Sequence, residues 1–442
     1  MKFKFLIGTI AISIFLTNCK STNENVSLLI RGGTIINTEF NGTTDKDITK
    51  GYILIKDGII QQWGEWSDTV VIPADCIVYD ASGKYIMPGL IDGFAVINNQ
   101  QYADAFLKAG VTSVIGLSSA RRGDLFRDGD PSPRIYELRS VGDTVLSYKD
   151  IDDQFRQASI DSIKIALLMY KLTPDQVDRA VKLATTYNIG TIGEFGYTSY
   201  KEATEIGVDA FVHTTRYSLD IAPSSLRSAV AEEPFSNDLE SAKWEYYRYL
   251  TNIDLSDNSL LNHSAILSDS ESYIMPTLSL LYIDLPDHLN PWEDEISELL
   301  DENDIDNPAD RVTGNHNYPE EIQQAYTNLA VKELLIESVY ASSGARYLAG
   351  SATDVWGTMP GISLHTELEL LKRIGLSNRE ILAAATSNFV DAFGWMSGSI
   401  KKGYHADILI LNSNPLDNIK NLRDIDALFL NGEQLIINDT IE

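Results

Sequence analysis

The chain has 442 residues, 44% of them hydrophobic, which is enough apolar material for one large core or two. Its 63 Asp and Glu outnumber 35 Lys and Arg, and the resulting net charge of −28 repels the phosphate backbones that nucleic-acid binding requires. Its two cysteines, Cys19 and Cys76, exclude a disulfide framework and a Cys-based metal cluster.

The chain opens with Lys2 and Lys4, then the apolar run Phe5 to Leu16, then Leu16-Thr17-Asn18-Cys19. A basic start followed by an apolar stretch too short to span a bilayer reads as a secretory signal. Its end is similar to a bacterial lipobox, which makes residues 1–19 a signal peptide and Cys19 the lipidated first residue of the mature chain. Residues 20–27, KSTNENVS, are polar and read as a flexible tether. The expected location is the cell envelope, with the body outside the cytoplasm and held to a membrane by the lipid.

Up to about Met87, alternating segments such as SLLIRGGTIIN and GYILIKDGIIQQWG predict strands separated by Gly, Asn and Asp turns. Cys76 lies in the strand-like run VIPADCIVYDA and reads as a small buried apolar residue. From Pro88 the rhythm becomes strand, helix, strand. SIKIALLMY is a strand, TPDQVDRAVKLATTYN a helix capped by Thr173 with Pro174 in its first turn, and GTIGEFG a strand. TSYKEATEIG and VDAFVHT continue as helix and strand.

Trp244, Tyr246, Tyr247 and Tyr249 fall on a predicted helix whose rings pack on the body, with stacking on a substrate as the alternative. Residues 284–310 form an acidic insertion without the Gly and final Glu of an EF-hand loop, and read as a solvated surface loop or lid. YPEEIQQAYTNLAVKELLIESVYASSG predicts a long helix, ARYLAGSATD a strand, and HADILILN with IDALFLNGEQLII a return to β structure. The alternation predicts an α/β fold with parallel strands, as a barrel or a doubly wound sheet. The β segments at the two ends are expected to pair in one small domain.

Four stretches, in order, carry a resemblance. They are Tyr85-Ile86-Met87-Pro88-Gly89-Leu90-Ile91-Asp92-Gly93, Ala109-Gly110-Val111-Thr112-Ser113-Val114, the run from Thr191 through Gly196 to Phe211-Val212-His213, and the run from Gly350-Ser351-Ala352-Thr353-Asp354 to Gly403-Tyr404-His405-Ala406-Asp407-Ile408-Leu409. Together they resemble the amidohydrolase superfamily, in its imidazolonepropionase- and prolidase-like branch. The resemblance implies a TIM (β/α)8 barrel over residues 88–395, and a small β-sandwich built from residues 28–87 and 396–442. It also implies hydrolysis of a non-peptide C–N or related bond in a small molecule, through a water activated by one or two divalent ions.

In that family a His-x-His pair on strand one, often a carboxylated Lys, and one His each on strands five and six hold the metal. An Asp on strand eight is the general base. Carried over here, the His-x-His positions are Phe94 and Val96, which have no donor atoms, and the strand-five position is Glu194. Lys164, His213 and Asp354 remain. Two readings follow. In the first, the metal chemistry is lost, Lys164 pairs with Glu194 or Asp354, Phe94 and Val96 fill the vacated volume, and the chain serves without metal as a small-molecule-binding or scaffold lipoprotein. In the second, one divalent ion, zinc by ligand type, is held by Glu194, His213 and a carboxylated Lys164, with Asp354 as base. His365, in the helix after Asp354, is the further candidate for the substrate pocket. His263, His288, His316 and His405 read as surface or structural residues.

Overall fold

The computed structural model describes residues 27–118, 125–236 and 238–436, so the signal segment and Cys19 lie outside the described residues. Seven parallel strands lie side by side in chain order: β1 (Leu90–Ala95), β2 (Val111–Leu117), β3 (Arg134–Val141), β4 (Ile165–Tyr170), β5 (Gly190–Phe195), β6 (Ala210–Val212) and β7 (Tyr273–Met275). Residues 347–353 close the ring as an eighth stave. Tyr347 bridges Ile274 of β7 and Thr353 bridges Ala95 of β1, both in parallel register. The segment ARYLAGSATD is thus less regular than the strand expected for it. Ala352 at φ 51° leaves the extended region and interrupts the ladder.

Closure needs two backbones to approach, and glycine allows it. A Cβ at Gly93 would lie 2.8 Å from Ala349 O, and one at Gly350 would lie 3.2 Å from Phe94 N. Ile91, Phe94, Ile115, Leu138, Leu167, Ile192, Val212 and Met275 belong to one buried cluster drawn from the staves, so the barrel is a packed core and not a pore.

The helices are α1 (Gln100–Lys108), α2 (Tyr148–Ile160), α3 (Pro174–Tyr187), α4 (Tyr200–Ile206), α5 (Thr214–Tyr217), α6 (Ser224–Glu232), α7 (Ala242–Asn252), α8 (Asn258–Asp269), α9 (Glu320–Ser343) and α10 (Ile362–Arg373), followed by two short helices. The start of α3 follows the expectation, with Pro174 in the first turn and Thr173 N donating to Gln176 Oε1 at 2.9 Å. Between β6 and β7 the chain inserts α5 to α8, which places α7 and its rings over the β6 side. Among the described residues no helix is long and apolar enough to cross a membrane.

Both ends of the described chain build the second unit. Met87 in Tyr85–Pro88 pairs with Leu409 in the C-terminal strand Ile408–Leu411, within a five-stranded sheet that also takes Thr34–Ile35 from the N-terminal side. A four-stranded sheet holds Leu28–Arg31 between Gly51–Lys56 and Ile77–Asp80. Ile30, Ile53, Ile86, Ile408 and Phe429 share one core, as alternation in those strands requires. Cys76 corrects its expectation. It is half-buried, just before an edge strand whose Ile77 and Val78 are exposed, because among the described residues no layer covers this edge.

The acidic insertion is more structured than a solvated loop. Asp294 and Asp301 cap short 3-10 turns by accepting from Ile296 N and Asn303 N, while Ile296, Leu300 and Ile305 face the main core. Its carboxylates work as turn caps, and its apolar residues hold it down.

Candidate functional site

The strand C-terminal ends of the β4 to β6 side carry Tyr170, Glu194 and His213. Tyr170 is the last residue of β4, and Glu194 is paired in register with Met169 beside it. Glu194 is buried. Its Oε1 accepts from the Tyr170 hydroxyl and lies 3.3 Å from Nε of Arg216, which is equally buried. Arg216 sits on α5, the single helical turn that follows His213. Its guanidinium carbon is 5.3 Å from the Tyr170 ring and 5.5 Å from the Phe235 ring, and its Nη2 donates to Pro234 O at 3.1 Å.

His213 adopts φ 66° where β6 turns into α5. Its Nδ1 is 2.8 Å from Thr277 Oγ1, and that hydroxyl donates to Pro276 O at 2.6 Å. The Thr277 proton is therefore committed, so Nδ1 of His213 is the donor and Nε2 carries the lone pair. Burial pulls the His213 pKa down to about 4; the nearby Glu194 opposes that and Arg216 adds to it. The imidazole is neutral at physiological pH. Phe94 packs edge-on against it, ring centroids 5.1 Å apart.

The candidate residues do not all meet here. Phe94, in β1, and Val96, just past its end, are buried apolar side chains. Lys164 is corrected. It is exposed and precedes Ile165, the first residue of β4, while Tyr170 and Glu194 occupy the other strand end. The cation beside Glu194 is Arg216. Asp354 is held on the β1 side, where its Oδ2 accepts from Tyr102 of α1 at 2.8 Å and its backbone oxygen accepts from Asp306 N of the insertion at 3.0 Å.

His365 is corrected too. Its Nε2 donates to Ala109 O at 2.8 Å, just ahead of the N-terminal end of β2, so it ties α10 to α1 outside the barrel. It borders an outer cleft of about 540 Å³ with Asp294 and Arg423, remote from Glu194 and His213 in the lining.

These side chains do not fit the metal that the resemblance implies. Glu194 is engaged by Arg216 and Tyr170, Lys164 is at the wrong strand end, and Phe94 and Val96 have no donors. Among the described residues no group of three His, Cys, Asp or Glu could hold a metal ion.

Sequence reasoning missed Arg216, Tyr170 and the acid pair behind them. The signal available was position: Tyr170 ends a strand and Arg216 lies one turn past His213, where barrel sites collect. Behind β6, Glu333 and Glu337 of α9 are wholly buried, and both lie against one hydroxyl, Thr214 Oγ1, at 2.9 and 2.7 Å. Tyr217 and Tyr347 also donate to Glu337, at 2.5 and 2.9 Å. One hydroxyl has one proton, so Glu337 receives it and Glu333 must itself be protonated to bond Thr214. Burial above all raises the two carboxyls, Glu333 to about 8 and Glu337 to about 7.

The fold is a parallel (β/α) barrel with a composite β domain built from both ends of the described chain. The amidohydrolase family model matches residues 261–435. Over 441 aligned residues the chain is 23% identical to a 5-methylthioadenosine/S-adenosylhomocysteine deaminase of Pyrococcus furiosus, covering 93% of this chain and 95% of that one. Among solved structures it is similar to a putative prolidase from Bifidobacterium longum, with TM-score 0.61, 18% identity and coverage of 93% and 94%. It is also similar to a Xaa-Pro dipeptidase with bound methionine in its active site, with TM-score 0.61, 15% identity and coverage of 92% and 99%.

Proposed function

We propose that this chain is an amidohydrolase-fold protein that binds a small molecule at its barrel mouth without the metal chemistry of its family. The observation that carries this reading is the Arg216–Glu194 pair. A cation that a metal site would repel is fixed on the one carboxylate that stands at the strand-five position, 3.3 Å away. Phe94 against His213 adds to it, since an apolar ring lies beside the imidazole that a metal would use. Deamination and dipeptide cleavage, named for the similar proteins, are not carried over, because their chemistry would need ligands these positions lack.

The residues present support recognition. Buried rings and charged groups at the C-terminal ends of barrel strands exclude water and orient a ligand's polar groups. Neutral His213, with Nε2 as acceptor, suits a ligand N–H or O–H. We also place the body at the cell envelope, tethered through a lipid on Cys19; loss of radiolabelled palmitate incorporation in Cys19→Ser tests that assignment.

Elemental analysis of the purified chain, after incubation with bicarbonate and divalent ions, tests the main reading. Metal at background, and no hydrolysis of amide and ester substrates by wild type or Asp354→Asn, is the expected result. One zinc or manganese per chain that is lost in Glu194→Ala and His213→Ala overturns it.

A further inference from the structure

Two cations are buried at the mouth, and only one has a carboxylate. Arg216 and Lys243 are 6% and 3% exposed, yet Glu194 is the single acidic partner recorded for them among the described residues. Lys243, on α7, forms no ion pair there. Its ammonium is bracketed by the Trp244 and Tyr247 rings, at 6.0 and 5.7 Å. The Arg216 guanidinium spends Nε on Glu194 and Nη2 on Pro234 O, while its Nη1 is buried with no hydrogen-bond partner. Burial, and after it the charge of Arg216, pulls the Lys243 pKa down to about 8. Two positive groups and one negative leave a surplus of one positive charge in a poorly solvated place, and a buried surplus charge calls for a counterion.

We propose that Arg216 Nη1 and the Lys243 ammonium form a subsite for the carboxylate of a small organic monoanion, whose apolar body lies among the rings of Tyr170, Phe235, Trp244 and Tyr247. The class follows from the charge and the shape. A monoanion brings the group to neutrality, whereas a phosphate dianion would leave a negative surplus. A flat carboxylate accepts in the plane of the guanidinium, at the edge that Nη1 presents, and the four rings favour an aromatic or apolar remainder. Phe235, 63% exposed above the guanidinium, stands at the rim of this subsite. The inference rests on the reading that the mouth binds a small molecule, and it deepens that reading by naming the ligand's chemistry.

Calorimetric titration of the chelator-treated full chain with benzoate, phenylacetate, benzamide and inorganic phosphate tests it. At least one of the two carboxylates binds with a dissociation constant of about 1 mM or tighter, a modest demand for ligands of this size. Benzamide, the neutral isostere, and phosphate bind at least about ten-fold more weakly, as loss of a charge-assisted bond requires. Affinity declines as pH rises past about 8, where Lys243 loses its proton. Lys243→Met weakens carboxylate binding about ten-fold or more without lowering the melting temperature, and Lys243→Arg retains binding. Failure of both carboxylates to bind, equal binding of benzamide, tighter binding of phosphate, or undiminished affinity in folded Lys243→Met overturns the proposal. Bound zinc in the elemental analysis would overturn the metal-free reading alone, since the titration reads neither metal nor turnover.

Discussion

Arg216 and Glu194 form a buried ion pair across the ends of β5 and β6, each side chain 7% exposed. The two positions are 22 residues apart by their numbers, yet the βα unit between them returns the chain so that the end of β6 lies beside the end of β5.

Breaking this pair from one side strands a charge. Arg216→Met is expected to destabilise the protein by about 3–5 kcal/mol, the range for removing one partner of a buried pair. Adding Glu194→Gln should recover most of that loss, because no uncompensated carboxylate remains. Urea midpoints of the two variants check this, and equal midpoints for wild type and Arg216→Met would show that the pair contributes nothing.

The carboxyls of Glu333 and Glu337 make stability depend on pH. Both folded pKa values, about 8 and about 7, lie above the ordinary 4.5, so between pH 4.5 and 8 the folded state holds protons that the unfolded chain has released. Their stabilising contribution is complete below pH 4.5 and is lost as pH rises through 7 and 8. Glu333→Gln, which mimics the protonated partner of Thr214, should fold and flatten this part of the profile. Glu337→Gln faces three hydroxyl donors with an amide, and should cost about 1–3 kcal/mol. Melting temperatures from pH 5 to 9 distinguish the two.

Tyr102 ties the insertion to the barrel, since its hydroxyl is within 2.8 Å of Asp354 Oδ2 and 3.0 Å of Asp304 O. Tyr102→Phe is expected to lower stability by about 1–2 kcal/mol. Proteolysis should then nick residues 284–310 sooner than in wild type, with the barrel fragment surviving. An unchanged cleavage pattern would mean that the apolar anchors Ile296, Leu300 and Ile305 suffice alone.

The two apolar positions at the end of β1 can be reversed. Phe94→His with Val96→His adds donors beside His213, and zinc should bind the double variant at least about a hundred-fold more tightly than wild type. Isothermal titration with zinc measures this. Equal affinity for both proteins would locate the obstacle in the Arg216–Glu194 pair.

Much of the architecture was legible because it depends on local pattern. The hydrophobic run of β4, the Pro174 start of α3 and the alternation in Ile408–Leu411 each reflect a periodicity that neighbouring residues carry by themselves. Phe94 and Val96 were legible for the same reason, since an apolar residue at a strand end inside a barrel is buried wherever the sheet goes.

The site was legible only in part. The resemblance puts Lys164 in the cluster as the family's carboxylated Lys, but Lys164 precedes Ile165 at the start of β4, and which end of a strand a residue occupies sets whether it faces the mouth or the floor. His365 followed Asp354 closely in sequence, yet α10 runs down the outside of the barrel and carries it to Ala109.

By itself the sequence determined the alternation of strands and helices and the β composition of both ends, because these follow from residue type and spacing, and it showed that Phe94 and Val96 carry no metal-donor atoms. Only the tertiary structure decided that Arg216 is the partner of Glu194, that Lys243 is buried beside it, and that Glu333 and Glu337 share Thr214. Those relations arise where separate βα units converge at one end of the barrel, and charge pairing across that convergence depends on distances that no local pattern encodes.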